Sequence, residues 1–530
     1  MAVGMALAER RLAHMFGDDI INHYTYVLAG DGCLMEGVSY EACNLAGLWG
    51  LNKLIMLYDC NEITLDGRRD AADGEDVKMR FAACGWNVID VKDANTPEPI
   101  MSAIDHAKKS DKPTLIICRT EIGYGTKTMG TERAHGVVLT RDECVALRKS
   151  FGMGEGFFTV DRDVEDYYAQ RVRDKSGSSS EWTDKLGAMK RSCPSQYREI
   201  LKFIVQPTED YFTDATGKPM ALRDAGHSML NQIYRQNPRL WGANADISST
   251  TKAFVREGGI FAAGNPGGSD IACGVREHGM AAIVNGLALH GFHAYCSTFL
   301  VFSDYARPAM RLSALMGLPV HYIFSHDGFG NPPDGPTHQG AESITALRII
   351  PNMHVWRPCD DIETAAVYKY VYKNMHPTCT ILSRGGGKTP IISDMSPTDR
   401  MLAVERGGYV LATSVHAPRV TLLATGVDVE LALEAKRTLD ENGIGSILVS
   451  MPSTGIFDAQ TEAYRLGVLR PDLPIVAVEM GTALELTKYV CANGRVLNFD
   501  TFGHSGTEAE LREKFGFTAQ NIITLVKELL

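Results

Sequence analysis

Residues 26–37 read YVLAGDGCLMEG, and residues 57–67 read LYDCNEITLDG. Each is an apolar run that stops abruptly in polar residues. Short apolar runs bounded by turn signals read as buried parallel strands. In open α/β sheets, ligands gather at the carboxyl ends of such strands. Gly30 and Gly32 permit a tight turn and let a phosphate approach backbone N–H groups closely. Asp31 between them offers a hard oxygen to Mg2+, Asn61 offers a neutral oxygen after the second strand, and a backbone carbonyl nearby offers a third. Mg2+ takes few protein oxygens and completes its shell with phosphate and water. Gly-Asp-Gly alone is also a capped turn. Asn61 at this spacing favours a diphosphate–Mg2+ site built from two adjacent strand ends.

The pattern extends outward from these two strands. NVIDV at 87–91 and PTLIICRT at 113–120 add further strands. Helical patterns at 39–48 and 97–109 lie between strands. Alternation of this kind argues a doubly wound α/β domain over 1–150. Residues 151–215 are polar and irregular, with DKSGSSSEWTD at their centre, and read as a connector carrying one or two helices. A second α/β pattern, 216–390, contains GIFAAG, HAYCST, PVHYIFSHD and TCTILSR as strands and ends at GGGKTP. A third, 391–530, contains VTLLATG, a helix at 429–442, GSILVSMPS, PIVAVEM and a helix at 519–530. The expected fold class is therefore α/β, with three doubly wound domains.

Composition sets the remaining bounds. A chain of 530 residues exceeds one core and suggests about three domains. The net charge of −11 is spread along the chain, and no Lys/Arg cluster marks a nucleic-acid surface. No apolar run reaches the length of a membrane span, and residues 1–10 lack the charged start of a signal peptide. The 12 cysteines sit singly, without CxxC spacing, which points to reduced thiols in the cytoplasm.

Further motifs carry chemistry in the second domain. In GVREHGMAAIVNGLALHG (274–291), Glu277 starts a helix of small and apolar residues. A desolvated carboxyl there suits proton exchange with a ring nitrogen, whereas a plain helix-start Glu serves only the helix dipole. Phe299, Phe302 and Tyr305 recur every three residues in STFLVFSDYA, as a helical stripe that is either core or a stacking wall for a heteroaromatic ring. His326, Asp327, Asp334 and His338 crowd the loop FSHDGFGNPPDGPTHQG, which reads as a substrate loop. No metal-type spacing appears among them. His135 in ERAHGVVL is a lone histidine and, by itself, reads as structural.

Taken together these motifs resemble the transketolase family over nearly the whole chain apart from 151–215. GDGCLMEG…DCNEITLDG looks like that family's diphosphate–Mg2+ motif. GVREHGM, STFLVFSDYA, DGPTHQ, PNMHVWRPCD, LATG…ELA, VSMPST and TFG follow in the family's order. The resemblance implies transfer of a two-carbon ketol unit between sugar phosphates in pentose phosphate metabolism, with thiamine diphosphate and Mg2+, or Ca2+ or Mn2+ in its place. It assigns Asp31, Asn61 and the Ile63 carbonyl to the metal, Gly32 to the diphosphate, and Ile122, His135 and Asp246 to the cofactor's surroundings. Glu277 would bond the aminopyrimidine, with Phe299, Phe302 and Tyr305 forming its pocket. His326, Asp334 and His338 would meet the sugar, with His338 and His135 as further catalytic candidates beside Glu277. Arg223, Thr250 and Arg384 would take the sugar's phosphate. A homodimer is expected, the cofactor lying between subunits.

Three local departures stand out. Thr250 replaces a serine and keeps the hydroxyl. GGG after Arg384 replaces a bulkier run, which suggests a more flexible loop. Pro332 and Pro333 stand where an acidic residue normally precedes Asp334. The family also carries a leading segment of about a hundred residues before the part that this sequence resembles, so an incomplete first domain is expected. A truncated chain, a split enzyme completed by a separate N-terminal polypeptide and a non-catalytic subunit are the alternatives. Dihydroxyacetone synthase and 1-deoxyxylulose-5-phosphate synthase are the neighbouring enzymatic readings.

Overall fold

A computed structural model describes the chain except residues 137, 155, 256, 330–333, 388 and 491. Pro332 and Pro333 therefore lie outside the described residues. The chain forms two compact units, residues 1–205 with 262–267, and residues 206–261 with 268–530.

The first unit is built on β1 (Thr25–Gly30), β2 (Leu54–Cys60), a small hairpin of β3 (Ile63–Thr64) and β4 (Gly67–Arg68), then β5 (Asn87–Val91) and β6 (Thr114–Arg119). Its main sheet runs β1-β2-β6-β5, with every pair parallel. Ile55, Ile116 and Cys118 face helix Pro97–Ala107 in one apolar cluster. The register pairs Gly30 with Asp59, so β1 and β2 end side by side. Beyond the sheet, helices Arg162–Ser192 and Pro194–Val205 occupy the connector. The Ser-Gly-Ser run at its centre, expected to be irregular, lies inside the first of these. The Trp182 indole N–H donates to the Ile20 carbonyl at 2.9 Å and ties this exposed helix to the chain's N-terminal part.

The second unit holds two sheets. The first comprises β7 (Leu240–Asn244), β8 (Asp270–Ala272), β9 (His293–Phe299), β10 (His321–Ser325), β11 (His354–Trp356) and β12 (Thr378–Leu382). Its order is β11-β12-β10-β9-β7-β8 and all pairs are parallel. All six carboxyl ends thus open on one side. The other sheet, β13 (Tyr409–Thr413), β14 (Pro418–Ala424), β15 (Gly445–Ser450), β16 (Ile475–Val478) and β17 (Arg495–Leu497), runs β13-β15-β14-β16-β17. Only β13 is antiparallel to its neighbour there. One continuous apolar core joins the two sheets of this unit.

Sequence and structure differ at 259–264. GIFAAG forms no strand. Gly258 and Gly259 take φ of 100° and 71°, a left-handed backbone that breaks an extended run, and Ile260 pairs with Asp270 as an isolated bridge. The first strand of this sheet is instead Leu240–Asn244, LWGAN, whose Gly, Ala and Asn give little β-propensity. All five residues are buried. A Cβ on Gly242 would come within 2.2 Å of the Tyr295 ring, so close packing selects the glycine.

Candidate functional site

In the first unit, helix Asp31–Met35 starts directly after β1, and Asn61 directly follows β2. Asp31 is 3% exposed. Its Oδ2 accepts N–H bonds from Asn61 at 3.2 Å and Glu62 at 3.0 Å, and its Oδ1 accepts from the Tyr58 hydroxyl. Burial pushes its carboxyl above the usual range, and the Tyr58 bond opposes that shift. Glu62 has φ of 60°, an uncommon left-handed corner that turns the chain between Asn61 and Ile63. The Asn61 Oδ1 accepts the Ile63 N–H at 3.0 Å and keeps a second lone pair. Asp59, beside Asn61, accepts from Thr120 at the end of β6.

The donor set therefore suits a hard cation: a desolvated carboxylate, an amide oxygen one residue past the next strand, and a carbonyl beyond a strained corner. The glycines fit a ligand for a different reason than a tight turn. Gly30 has an extended backbone (φ −98°, ψ −179°), and a Cβ on Gly30, Gly32 or Gly37 would meet no atom within 4 Å. Among the described residues no contact requires glycine there, and the open space beside these backbones leaves room for a ligand. Ile122 and His135 lie in the loop after β6, Ile122 half-buried and His135 exposed.

In the second unit, several predicted residues sit past a parallel strand end, while Arg223 lies in the first turn of helix Leu222–Gln236. Asp246 and Thr250 follow β7, Glu277 follows β8, Phe299 closes β9, His326 follows β10 and Arg384 follows β12. Phe299, Phe302 and Tyr305 do not share one helix. They come from a strand end, a 3-10 turn and helix Ser303–Met316. They still form a shelf: the rings of Phe299 and Phe302 lie 5.7 Å apart at 23°, and those of Phe302 and Tyr305 lie 6.0 Å apart. Exposure rises along the shelf, from buried Phe299 through half-buried Phe302 to Tyr305 at 64%, so its outer end is open to a ligand. His326 and His338 continue it, 3.9 Å from Phe299 and 5.4 Å from Phe302. Glu277 is buried as the first residue of helix Glu277–Ala288.

Charge gathers beside the shelf. His326 is buried with φ of 68°, and its Nδ1 lies 2.7 Å from the Ser325 hydroxyl. Burial first, then the positive charges of Arg384 and Arg223, pull its imidazole down to about 3. It is a neutral ring at physiological pH. The Arg223 Nη1 donates to the Thr250 carbonyl at 2.8 Å. Its Nε is buried with no hydrogen-bond partner among the described residues. Burial and Arg384 hold the Arg223 guanidinium below its usual range. Two cations facing one another with an unfilled donor form a place for an anion. His338 is half-buried, with Nδ1 2.9 Å from the Thr337 hydroxyl, and Asp334 is exposed. Asp327 departs from the group: it is buried 2.9 Å from Arg357 and belongs to the packing between the two sheets. The loop after Arg384 is pinned, contrary to expectation. The Gly387 N–H donates to Glu430 at 2.8 Å, and a Cβ on Gly386 would strike Val427 at 1.9 Å.

Family models match in chain order: the transketolase thiamine-diphosphate-binding domain at residues 1–208, the transketolase pyrimidine-binding domain at 218–388 and the transketolase-like C-terminal domain at 407–518. A Transketolase 2 from Vibrio vulnificus is 38% identical over 100% of this chain and 82% of its own length. The chain belongs to the transketolase family. A Transketolase 2 from Pasteurella multocida is 40% identical over the same shares. Among solved transketolases, that of Leishmania mexicana superposes with a TM-score of 0.93 at 33% identity, covering 100% of this chain and 79% of that one. The Pichia stipitis enzyme in complex with sedoheptulose-7-phosphate gives 0.93 at 33%, with 100% and 80% covered.

Two parts of this transketolase-family site escaped the sequence. Tyr58, the hydroxyl donor to Asp31, is signalled only by a polar tip inside the apolar run LIMLYD. Arg223's open Nε follows from tertiary packing and has no sequence signal.

Proposed function

We propose that this chain carries a two-carbon ketol unit from a ketose phosphate to an aldose phosphate, in reactions of the pentose phosphate type. The observation that supports this most is the grouping of Arg223 and Arg384 with a neutral His326 beside an aromatic shelf, with Arg384 and His326 past strand ends of one parallel sheet. A phosphate fits the arginines, a hydroxylated chain fits the histidines, and a flat heteroaromatic ring fits the phenylalanines. In this reading Asp31, Asn61 and the Ile63 carbonyl hold Mg2+, with Ca2+ and Mn2+ as substitutes. Gly32 admits the diphosphate, and Ile122, His135 and Asp246 line the cofactor's surroundings. Thiamine diphosphate, when bound, supplies the carbanion stabilisation needed to break a carbon–carbon bond beside a carbonyl.

The protein's own side chains do the rest. Glu277, buried at a helix start, holds a proton at a ring nitrogen. Phe299, Phe302 and Tyr305 orient the ring and exclude water from one face. His326 exchanges hydrogen bonds with a sugar hydroxyl without taking a charge. His338 and His135 are the candidates for moving a proton at the sugar. Arg223, the Thr250 region and Arg384 fix the far end of the substrate, and Asp334 meets its hydroxyls. The reading includes a cytoplasmic homodimer, in line with described cysteines that are all free thiols. It divides the chain into a diphosphate domain (1–150), a connector (151–215), a pyrimidine domain (216–390) and a C-terminal domain (391–530). Among the described residues no helix is long and apolar enough to cross a membrane.

The test is product analysis with xylulose 5-phosphate and ribose 5-phosphate, thiamine diphosphate and Mg2+. The reading expects sedoheptulose 7-phosphate. Turnover only with formaldehyde as acceptor, or only with pyruvate as donor, would move the assignment to a neighbouring enzyme.

A further inference from the structure

Residues 326–339 carry three of the sugar-facing side chains, His326, Asp334 and His338. Between and beside these lie three residues that face the other way, into the lobe built on the β13–β17 sheet. Asp327 meets Arg357 at 2.9 Å, and Arg357 reaches Asp428 of that lobe at 2.7 Å. Phe329 is fully buried in a box of Phe499, Phe515 and Phe517, at ring distances of 4.8, 5.1 and 5.8 Å. Its N–H points at the Met480 sulfur, 3.1 Å away. The Gln339 Nε2 donates to the His504 carbonyl at 3.2 Å. Two glycines record how tight this contact is. A Cβ on Gly328 would lie 2.2 Å from the Met480 sulfur, and one on Gly503 would lie 1.7 Å from the Gln339 Oε1.

Each anchor is within a few residues of a sugar-facing group: 327 beside 326, 339 beside 338, and 329 between. A loop alone has no ladder to fix its side chains, and small misplacement of binding groups is expensive in rate. We propose that Asp327, Phe329 and Gln339 are positioning residues through which the C-terminal lobe holds His326, Asp334 and His338 in place for the sugar. The inference rests on the proposed transferase reading for what the loop binds. It gives the lobe a role in substrate affinity, separate from the cofactor's.

The experiment compares Phe329→Leu, Phe515→Leu and the double variant with Val526→Ala, a core truncation in the same lobe whose buried side chain is remote in sequence from the loop. In the full-length protein, each of the first two is expected to raise KM for the ketose phosphate about tenfold. The thiamine diphosphate Kd should stay within about twofold of the parent. The double variant should match a single one, because both break the same contact. Val526→Ala should lower Tm and leave KM alone. Hydrogen exchange supplies a readout independent of activity: amides in 326–329 and 334–339 should exchange faster in Phe515→Leu and not in Val526→Ala. An unchanged KM in folded Phe329→Leu, a KM rise shared by Val526→Ala, or unaltered loop exchange in Phe515→Leu would each overturn the proposal. An inactive parent whose loop exchange still responds to Phe515→Leu would sink the transferase reading and leave the brace standing.

Discussion

Replacing Arg384 with alanine separates binding of the substrate's phosphate from everything else in the site. Burial and the nearby charge of Arg384 hold the Arg223 guanidinium below its usual range, and both arginines add to the burial that depresses the His326 imidazole. Arg223 gives one nitrogen to the Thr250 carbonyl and keeps a buried Nε without a hydrogen-bond partner among the described residues, and Arg384 adds a second positive charge beside it. A hydrogen bond to a charged group contributes about 1.5–3 kcal/mol, and each 1.4 kcal/mol is about tenfold. Arg384→Ala should therefore cut kcat/KM for a phosphorylated ketose by about 10- to 150-fold. The loss should fall mainly on KM, because the phosphate is remote from the bond that breaks. With an unphosphorylated ketose donor the change should stay within about threefold, since no anion meets the missing cation. The assay is initial-rate kinetics on both donors at fixed cofactor. Equal losses on the two donors would refute the phosphate assignment, and a loss confined to kcat would place Arg384 at the chemistry instead.

Other consequences follow from the same geometry. His321 and His326 are buried, and burial holds both imidazoles near 3 against an ordinary 6.5. Below pH 6.5 the unfolded chain binds the extra protons, so their contribution is full above that pH and is lost as pH falls towards 3. Urea unfolding should lose about 1.4 kcal/mol per pH unit for each of them between pH 6 and 4, and a flat profile there would contradict their burial as neutral rings. Gly387 has φ of 79°, and a Cβ on it would lie 2.5 Å from the Met220 carbonyl, so Gly387→Ala should cost about 1–3 kcal/mol and raise KM for phosphorylated sugars. A neutral effect on both in calorimetry and kinetics would mean that the loop is free. Tyr58→Phe leaves the buried Asp31 one donor short, which should cost about 1–3 kcal/mol of stability and about tenfold in Mg2+-dependent cofactor affinity. Unchanged values in thermal melts and titrations would show that the bond is incidental.

What the sequence made legible was whatever local pattern alone determines. LIMLYD and TLIICR are continuous apolar runs, and they are central strands. Asp31 and Asn61 could be paired because both follow such runs. Period misled where elements are short: Phe299, Phe302 and Tyr305 repeat every three residues yet straddle a strand, a 3-10 turn and a helix. Glycines misled where packing, not conformation, selects them. Gly386 looked like a source of flexibility and is wedged against Val427, while Gly242 hid a strand. The ion pairs of Arg357 with Asp327 and Asp428 join positions far apart in the chain, and no local pattern signals them.

The central claim is that this chain's own strand ends hold the cofactor. Calorimetric titration of thiamine diphosphate into the protein with Mg2+ tests it most directly, with Asp31→Ala and a chelator as comparisons. The account predicts saturable binding to the parent, lost on chelation and lost in Asp31→Ala. No binding by a folded parent, or binding that is indifferent to both Asp31→Ala and the chelator, would contradict it.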